Sequence, residues 1–348
     1  MRILHLLQSS VFSGAENVIC QIIDMFRDEP GTEMVYSSQD GPIRDALAER
    51  NITFAPMNKL CYSEVKRVIK EVKPDIIHAH DMRASFYAAL LAGRIPVISH
   101  IHNNGFDSRK ISLKSVLYAY AAIKAKHIFW VSGSSYQGYC FHNCFAKKSS
   151  ILYNVISIDA LYEKMSRDTN EYDYDIIYVG RLTYPKNPER FMQIFSEIVK
   201  KKPDIKIAVV GAGDMQAEVE KLHRELKLEG NVELLGYCSN PAKMIHDSRA
   251  MIMTSRFEGT PMVALESLSL GTPIVSTPVD GMCDLIENGK NGYLSNINGE
   301  IVSKLVEIVE NDSLRESLSE NAKAMSRERN DIPTYKNKIY IAYKTALK

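Results

Sequence analysis

Two doubly wound α/β domains in tandem are what this sequence predicts, from three observations. Short β-branched apolar runs alternate with amphipathic helical segments along 348 residues, the pattern of parallel sheets covered by helices on both faces. The alternation stops at a polar passage, SRDTNEYDY (166–174), and then restarts. The chain is also long for one core and comfortable for two domains of about 100–200 residues each.

In the first domain, residues 1–165, the runs RILHLLQ, EMVYSS, ITFAPM, PDIIHAH, IPVISHI, KHIFWVS and SSILYNV read as strands. Helical segments such as GAENVICQIIDMF and SEVKRVIKEVK lie between them. In the second domain, residues 166–332, the strands are DIIYVGR, IKIAVVGAG, NVELLGY, AMIMTS, TPIVST and NGYL. Pro333 is expected to interrupt the helical pattern that follows. The last segment, 333–348, is then expected to pack back on the first domain. Open α/β sheets bind ligands at the C-terminal edges of their strands, so two of them would face a central cleft that gathers the functional residues.

Composition narrows the function classes. At 45% hydrophobic, 24% charged and a net charge of +1, the chain has no global field that points to nucleic acid. The opening MRILHLLQSS is too short in its apolar part for a secretory signal. No run approaches the length of a membrane span, so a cytoplasmic protein is expected. Six cysteines are scattered at 20, 61, 140, 144, 238 and 283. CFHNC (140–144) has the look of a metal clip but lacks a second pair at finger spacing, so reduced cysteines and no metal are expected. The one Asp-x-Asp, at 173–175, falls in the polar passage and reads as solvated charge.

The most informative stretch is RFEGTPMVALESLSLGTPIVST (256–277). AMIMTS is a buried strand, RFEGT a turn, and Pro261 suits a first helical position with Thr260 as the cap before it. The helix then ends at Gly271, with Pro273 beyond. Its N-terminus offers free amides to an anion. Glu258 and Glu266 beside that end are wrong for phosphate but right for accepting hydroxyl groups, so a phosphorylated, hydroxyl-rich ligand is implied. YVGRLTYPKNPERF adds Arg181 after a strand and Lys186 before a helix, a fork and a mobile ammonium suited to a diphosphate. VVGAGDMQ has Gln216 where a dinucleotide fingerprint needs its third glycine, which leaves Gly211 in a close-approach loop. Tyr237 after Gly236 is a candidate lip for a nucleobase.

Taken together, Glu258 and Glu266 with their EGTPMVALES…GTPIVST frame, GRLTYPKN, VVGAG, NVELLGY, SGAENVI (13–19), PDIIHAH (74–80) and SHIHNN (99–104) resemble the retaining glycosyltransferases of family 4. The resemblance covers essentially the whole chain and implies the GT-B fold. SHIHNN is most similar to the bacterial capsule, exopolysaccharide and O-antigen branch. The resemblance implies transfer of a hexose from a nucleotide diphosphate sugar, a UDP-sugar in this branch, to an acceptor hydroxyl with retained configuration and no metal. Arg181 and Lys186 would hold the diphosphate, with backbone amides at Thr260, Met262 and Val263. Glu266 would take the ribose hydroxyls and Glu258 those of the transferred sugar. Gly14 would let the first domain's turn approach the ligand. His102 would meet the sugar's 6-position or the acceptor, with His100 as its rival because alternation puts both on one face. Asn103 and Asn104 mark a strand end, which favours His102; His78 and His80 read as mainly structural.

One departure is YNVISID (153–159), where the family commonly has glycine at the position of Val155. A sugar-nucleotide epimerase or hydrolase, or a non-catalytic polysaccharide assembly subunit, stays open as the alternative. Residues 108–127 carry Arg109, Lys110, Lys114, Lys124 and Lys126, no acid, and interleaved apolar residues. Such a segment can lie on an anionic bilayer. A saccharide or lipid-linked saccharide acceptor, met at the inner face of the membrane, is therefore the expected partner besides the donor.

Overall fold

Strands buried on both faces are apolar at consecutive positions, as the runs IIYV (176–179), IAVV (207–210) and AMIM (250–253) are. The structure, a computed structural model, describes residues 1–103 and 105–348. Asn104, one of the two residues marking the strand end, lies outside the described residues. The chain divides into two units, one of residues 1–155 with 332–348 and one of residues 156–331.

The first unit holds β1 (Arg2–Leu6), β2 (Glu33–Ser37), β3 (Ile76–His80), β4 (Val97–Ile101), β5 (His127–Trp130) and β6 (Ser149–Ile151). They form one parallel sheet in the order β2-β1-β3-β4-β5-β6. The order reverses direction between β1 and β3, so the topological switch point of this unit lies there. ITFAPM (52–57), expected as a strand, makes only isolated bridges along β2, Tyr36 to Phe54 and Gln39 to Met57. Pro56 between them has no N–H to give a ladder.

The helix Ile332–Ala346 belongs to this first unit. Tyr343, fully buried, hydrogen-bonds His78 Nδ1 at 2.7 Å, and Lys336 pairs with Glu29 at 2.9 Å. Pro333 does not interrupt this helix; it sits in the first turn, where its missing N–H has no intrahelical partner to lose.

The second unit holds β7 (Ile176–Val179), β8 (Ile207–Val210), β9 (Val232–Gly236), β10 (Ala250–Met253), β11 (Ile274–Ser276) and β12 (Gly292–Leu294). These strands are parallel in the order β12-β11-β10-β7-β8-β9. Its switch point lies between β7 and β10. The core beneath is a cluster that includes Ile176, Phe191, Phe195, Ile207 and Ile252, these five without solvent exposure.

The division falls at 155/156 rather than at 165/166, because the helix Ile158–Ser166 packs within the second unit. Tyr162 donates to the Ser269 carbonyl at 3.2 Å, and Asn240 donates to the Lys164 carbonyl at 2.8 Å. The polar passage 166–174 is thus a connection inside this unit. Its Asp173 pairs with Lys206, and Asp175 pairs with Arg249.

Candidate active site

The second unit's switch point sets the chemistry. The loop after β7 carries Arg181 and Lys186, and the loop after β10 carries Glu258, so adjacent strands deliver them to one sheet edge. Glu258 is 8% exposed. Its Oε1 forms an ion pair with Lys186 Nζ and accepts a hydrogen bond from Ser255 Oγ at 2.5 Å. The two loops are stitched along their length. The Arg256 amide donates to the Pro185 carbonyl at 2.8 Å, and its guanidinium lies over the Tyr184 ring and donates to Asn187 Oδ1 at 2.6 Å.

The Glu258 turn is clamped from the other side by the loop after β11. The Glu258 amide donates to Asp280 Oδ2 at 3.0 Å. Asp280 itself holds a φ of 39°, a conformation that non-glycine residues rarely adopt. A Cβ at Gly281 would lie 1.8 Å from the Gly259 carbonyl oxygen, so only glycine lets the loops approach this closely. Nothing in the sequence sets Ser255, Asp280 and Gly281 apart from ordinary loop residues; strand order in the sheet brings the last two to Glu258.

The helix Met262–Leu270 starts one residue later than its cap signals suggest. Pro261, with ψ at 125°, is the N-cap residue in extended conformation, and Thr260 lies outside the helix. The first turn contains Met262 and Val263 and no acidic residue, so no carboxylate of the helix itself neutralises its positive end. Gly271 terminates it in the left-handed region at φ 86°. Glu266 lies one turn in and is half-buried. Loss of water pushes its carboxyl up to about 7, against the pull of Lys164.

The glycines of VVGAG have a packing cause. A Cβ on Gly211 would sit 1.9 Å from the Gly180 oxygen, and one on Gly213 would sit 2.2 Å from the Leu182 oxygen. The loop after β8 therefore lies directly against the loop that carries Arg181. Arg181 is exposed, and Tyr237, after Gly236 at φ 68°, is 70% exposed.

In the first unit the switch point gathers histidines. His5 of β1, His78 and His80 of β3, and His100 and His102 of and after β4 are all buried. His80 Nδ1 is 2.8 Å from His102 Nε2, and His80 Nε2 is 2.9 Å from His5 Nδ1. His80 is therefore no bystander: it holds His102 directly. Strand β4 ends at Ile101, which leaves His100 inside the sheet and His102 at its edge. The His102 amide donates to Asp81 Oδ1 at 2.9 Å. Asp81 carries a positive φ of 67°, and burial raises its carboxyl to about 6. Burial also lowers His102 to about 4, opposed by Glu16, so its ring is neutral near pH 7. Gly14, exposed, opens the helix Gly14–Met25 after β1. Asn154 and Val155 are both buried, so the valine that stands for glycine is accommodated in the core.

Two family descriptions match this chain: "Glycosyltransferase Family 4" over residues 12–160 and "Glycosyl transferases group 1" over residues 163–325. An uncharacterized glycosyltransferase of Methanocaldococcus jannaschii is 29% identical over 235 residues, which is 62% of this chain but only 58% of that one. The UDP-Gal:alpha-D-GlcNAc-diphosphoundecaprenol alpha-1,3-galactosyltransferase of Escherichia coli is 23% identical over 361 residues, 93% of this chain and 91% of its own. Among solved structures, Anabaena Alr3699/HepE in complex with UDP-glucose has a TM-score of 0.85 at 21% identity, over 99% of this chain and 100% of that one. At that identity the likeness speaks for the fold, GT-B.

Proposed function

This chain belongs to the family 4 glycosyltransferases, and we propose that it moves a sugar from a UDP-sugar to an acceptor hydroxyl with retained anomeric configuration. The observation that carries the reading is the shielded Lys186–Glu258 pair beside an acid-free helix N-terminus at a sheet switch point. An arriving diphosphate takes over the Lys186 ammonium and releases Glu258 to accept the sugar's hydroxyls. Arg181 and the amides of Thr260, Met262 and Val263 complete the anion site. These groups place positive charge where the leaving group becomes more negative, the arrangement that lowers such barriers most. On this reading no metal or cofactor is required. Glu266 accepts the ribose hydroxyls, Tyr237 stacks on the base, Gly211 keeps the phosphate loop low, and Gly14 and His102 meet the sugar or acceptor from the first unit.

Thermal unfolding tests this reading. A nucleotide at about 100 times its dissociation constant stabilises by roughly 2.7 kcal/mol. UDP is expected to raise the melting temperature equally with and without a chelator, and ADP and NAD are not. A shift with GDP alone would keep the transferase and change the donor. No shift with any of them would defeat the donor-site assignment.

The acceptor we propose is a lipid-linked saccharide for surface polysaccharide, met at the cytoplasmic face of an anionic membrane. Two relatives are named for acceptors on diphosphoundecaprenol. Among the described residues no helix is long and apolar enough to cross a membrane. The helix Leu113–Lys124 buries Tyr118, Ala121 and Ala122 but leaves Leu113 77%, Val116 50% and Ile123 64% exposed, beside Lys110, Lys114 and Lys124. One face is core and the other has the apolar-plus-basic character of an interfacial helix. Charge reversal at Lys110, Lys114 and Lys124 is expected to abolish flotation with anionic liposomes. Flotation that ignores the reversal would sink the membrane contact while leaving the donor site untouched.

A further inference from the structure

We propose that the groove between the helices Asp81–Leu91 and Leu113–Lys124 holds the apolar chain of a lipid diphosphate, with the diphosphate on Arg83 and Lys114. The proposal deepens the lipid-linked acceptor reading and rests on it. The groove has a volume of about 470 Å³, within the range of about 300–1,000 Å³ common to small-ligand pockets. Met82, Phe86 and Tyr87 line it from one helix, and Leu113 and Leu117 from the other. Leu113 and Leu117 are 77% and 37% exposed, so the groove opens to solvent along an apolar wall.

The fold gives the groove a direction. The helix Asp81–Leu91 joins β3 to β4, and the helix Leu113–Lys124 joins β4 to β5; these strands are parallel neighbours. Right-handed crossovers that advance in one direction put both helices on one face of the sheet, where they pack together. Each helix runs back against its strands, so both first turns stand at the C-terminal strand edge, beside His102. Arg83 and Lys114 lie in those first turns. The basic end of the groove is therefore the end nearest His102, and the apolar walls extend a further turn along each helix.

Both cations are exposed and available. Neither Arg83 nor Lys114 makes an ion pair among the described residues. A Cβ built on Gly105 would lie 4.0 Å from Lys114 Nζ, so the ammonium reaches the loop that follows His102. Burial raises the Asp81 carboxyl, and the Lys114 charge draws it back down; Asp81 in turn accepts the His102 amide. Asp107, exposed, is the one carboxylate among the described lining residues, a single negative charge against two positive ones.

Apolar walls give a sugar's hydroxyls no hydrogen-bond partners, and burying such groups unpaired is costly. They suit a hydrocarbon chain. Cations at one end only call for an anion joined to that chain. A free nucleotide or a saccharide matches at most one end; a lipid diphosphate matches both. With its diphosphate on Arg83 and Lys114, the chain lies along the groove and the attached saccharide faces His102. Leu113 belongs both to the groove wall and to the exposed apolar face of its helix, which gives the chain a continuous path from the proposed membrane surface.

The test is a calorimetric titration of the full chain with farnesyl diphosphate at saturating UDP, which occupies the donor site's own diphosphate position. Farnesyl diphosphate is expected to bind at least about tenfold more tightly than farnesol or inorganic diphosphate, since each of those matches one end only. Replacing two walls without adding charge, Leu113→Ser with Leu117→Ser, is expected to weaken it by about tenfold or more, as is Lys114→Ala. Leu90→Ser, at an exposed position of the helix Asp81–Leu91 outside the lining, is expected to leave it unchanged. The melting shift with UDP, unchanged in every variant, reports that each is folded. Equal affinity in the Leu113→Ser, Leu117→Ser chain, or an equal loss in Leu90→Ser, would overturn the groove assignment. Displacement of farnesyl diphosphate by an equal concentration of dihexanoyl phosphatidylglycerol would overturn it too, leaving only a face for anionic lipids in general. Transfer to a lipid-linked acceptor by a chain that ignores farnesyl diphosphate would strike the groove and spare the acceptor reading. Binding of farnesyl diphosphate with no transfer to that acceptor would uphold the groove and strike the acceptor reading.

Discussion

Lys186→Ala is expected to lower kcat/KM for sugar transfer by about 10²–10³-fold and to destabilise the chain by about 3 kcal/mol. Both effects come from one geometry. The Lys186 and Glu258 side chains are 16% and 9% exposed, so this is a shielded pair and not a surface ion pair worth a few tenths of a kcal/mol. Removing the ammonium leaves the Glu258 carboxylate in the turn with Ser255 Oγ to satisfy it, an uncompensated charge. The same ammonium is the group that the proposed mechanism hands from Glu258 to the diphosphate. Adding Glu258→Gln to Lys186→Ala should restore most of the stability, because the stranded charge disappears, without restoring transfer. Chemical denaturation and initial rates on the two variants separate these effects. A folded Lys186→Ala chain with transfer within tenfold of the parent would remove Lys186 from the machinery, and a double variant no more stable than the single would refute the stranded-charge account.

Local signals made much of the fold legible. In the second unit the strands DIIYVGR, IKIAVVGAG, NVELLGY, AMIMTS, TPIVST and NGYL correspond to β7–β12, because buried parallel strands are short β-branched runs ended by turn residues. ITFAPM has the same composition and forms only bridges; nothing local told it apart except Pro56. Gly271 could be read as a helix terminator because a left-handed position selects glycine. Gly211 carried the same kind of signal, yet its constraint is the backbone of Gly180 from another loop, a distance that sequence does not encode. The E-x7-E frame placed Glu258 and Glu266 on one turn and helix. That Lys186 pairs with Glu258, and that Asp280 holds the Glu258 amide, follows from strand order in the sheet. HAH and SHIH likewise announced histidines on one face by period-two alternation, but the link from His80 to His5 and His102 needed β1, β3 and β4 to be neighbours.

Glu266→Gln should make the protein more stable at pH 8 and worse at holding its donor. The Glu266 carboxyl has an ordinary value of 4.5 and is raised to about 7 in the folded chain, chiefly by desolvation. Below pH 4.5 it is protonated folded or unfolded and affects stability in neither direction. Between 4.5 and 7 the unfolded chain releases this proton while the folded chain retains it, so stability falls as pH rises. Above 7 the folded state carries the charge and the full penalty, on the order of 2 kcal/mol given partial exposure and Lys164 nearby. Glutamine matches the shape and never ionises. The stability difference between variant and parent should therefore be near zero at pH 4, grow through pH 7 and then level off, as urea midpoints across that range would show. A site that keeps a carboxylate at such a cost implies a use for it. The ionised form accepts two ribose hydroxyls more strongly than an amide, and hydrogen bonds to a charged group contribute about 1.5–3 kcal/mol, roughly 10- to 100-fold in affinity. Affinity of the parent for a UDP-sugar, whose own diphosphate charge is constant in this range, should thus rise as pH passes 7, while that of the variant stays flat. A Glu266→Gln chain that binds the UDP-sugar as tightly as the parent at pH 8 would separate the strained carboxylate from donor recognition, and its burial would then need another explanation.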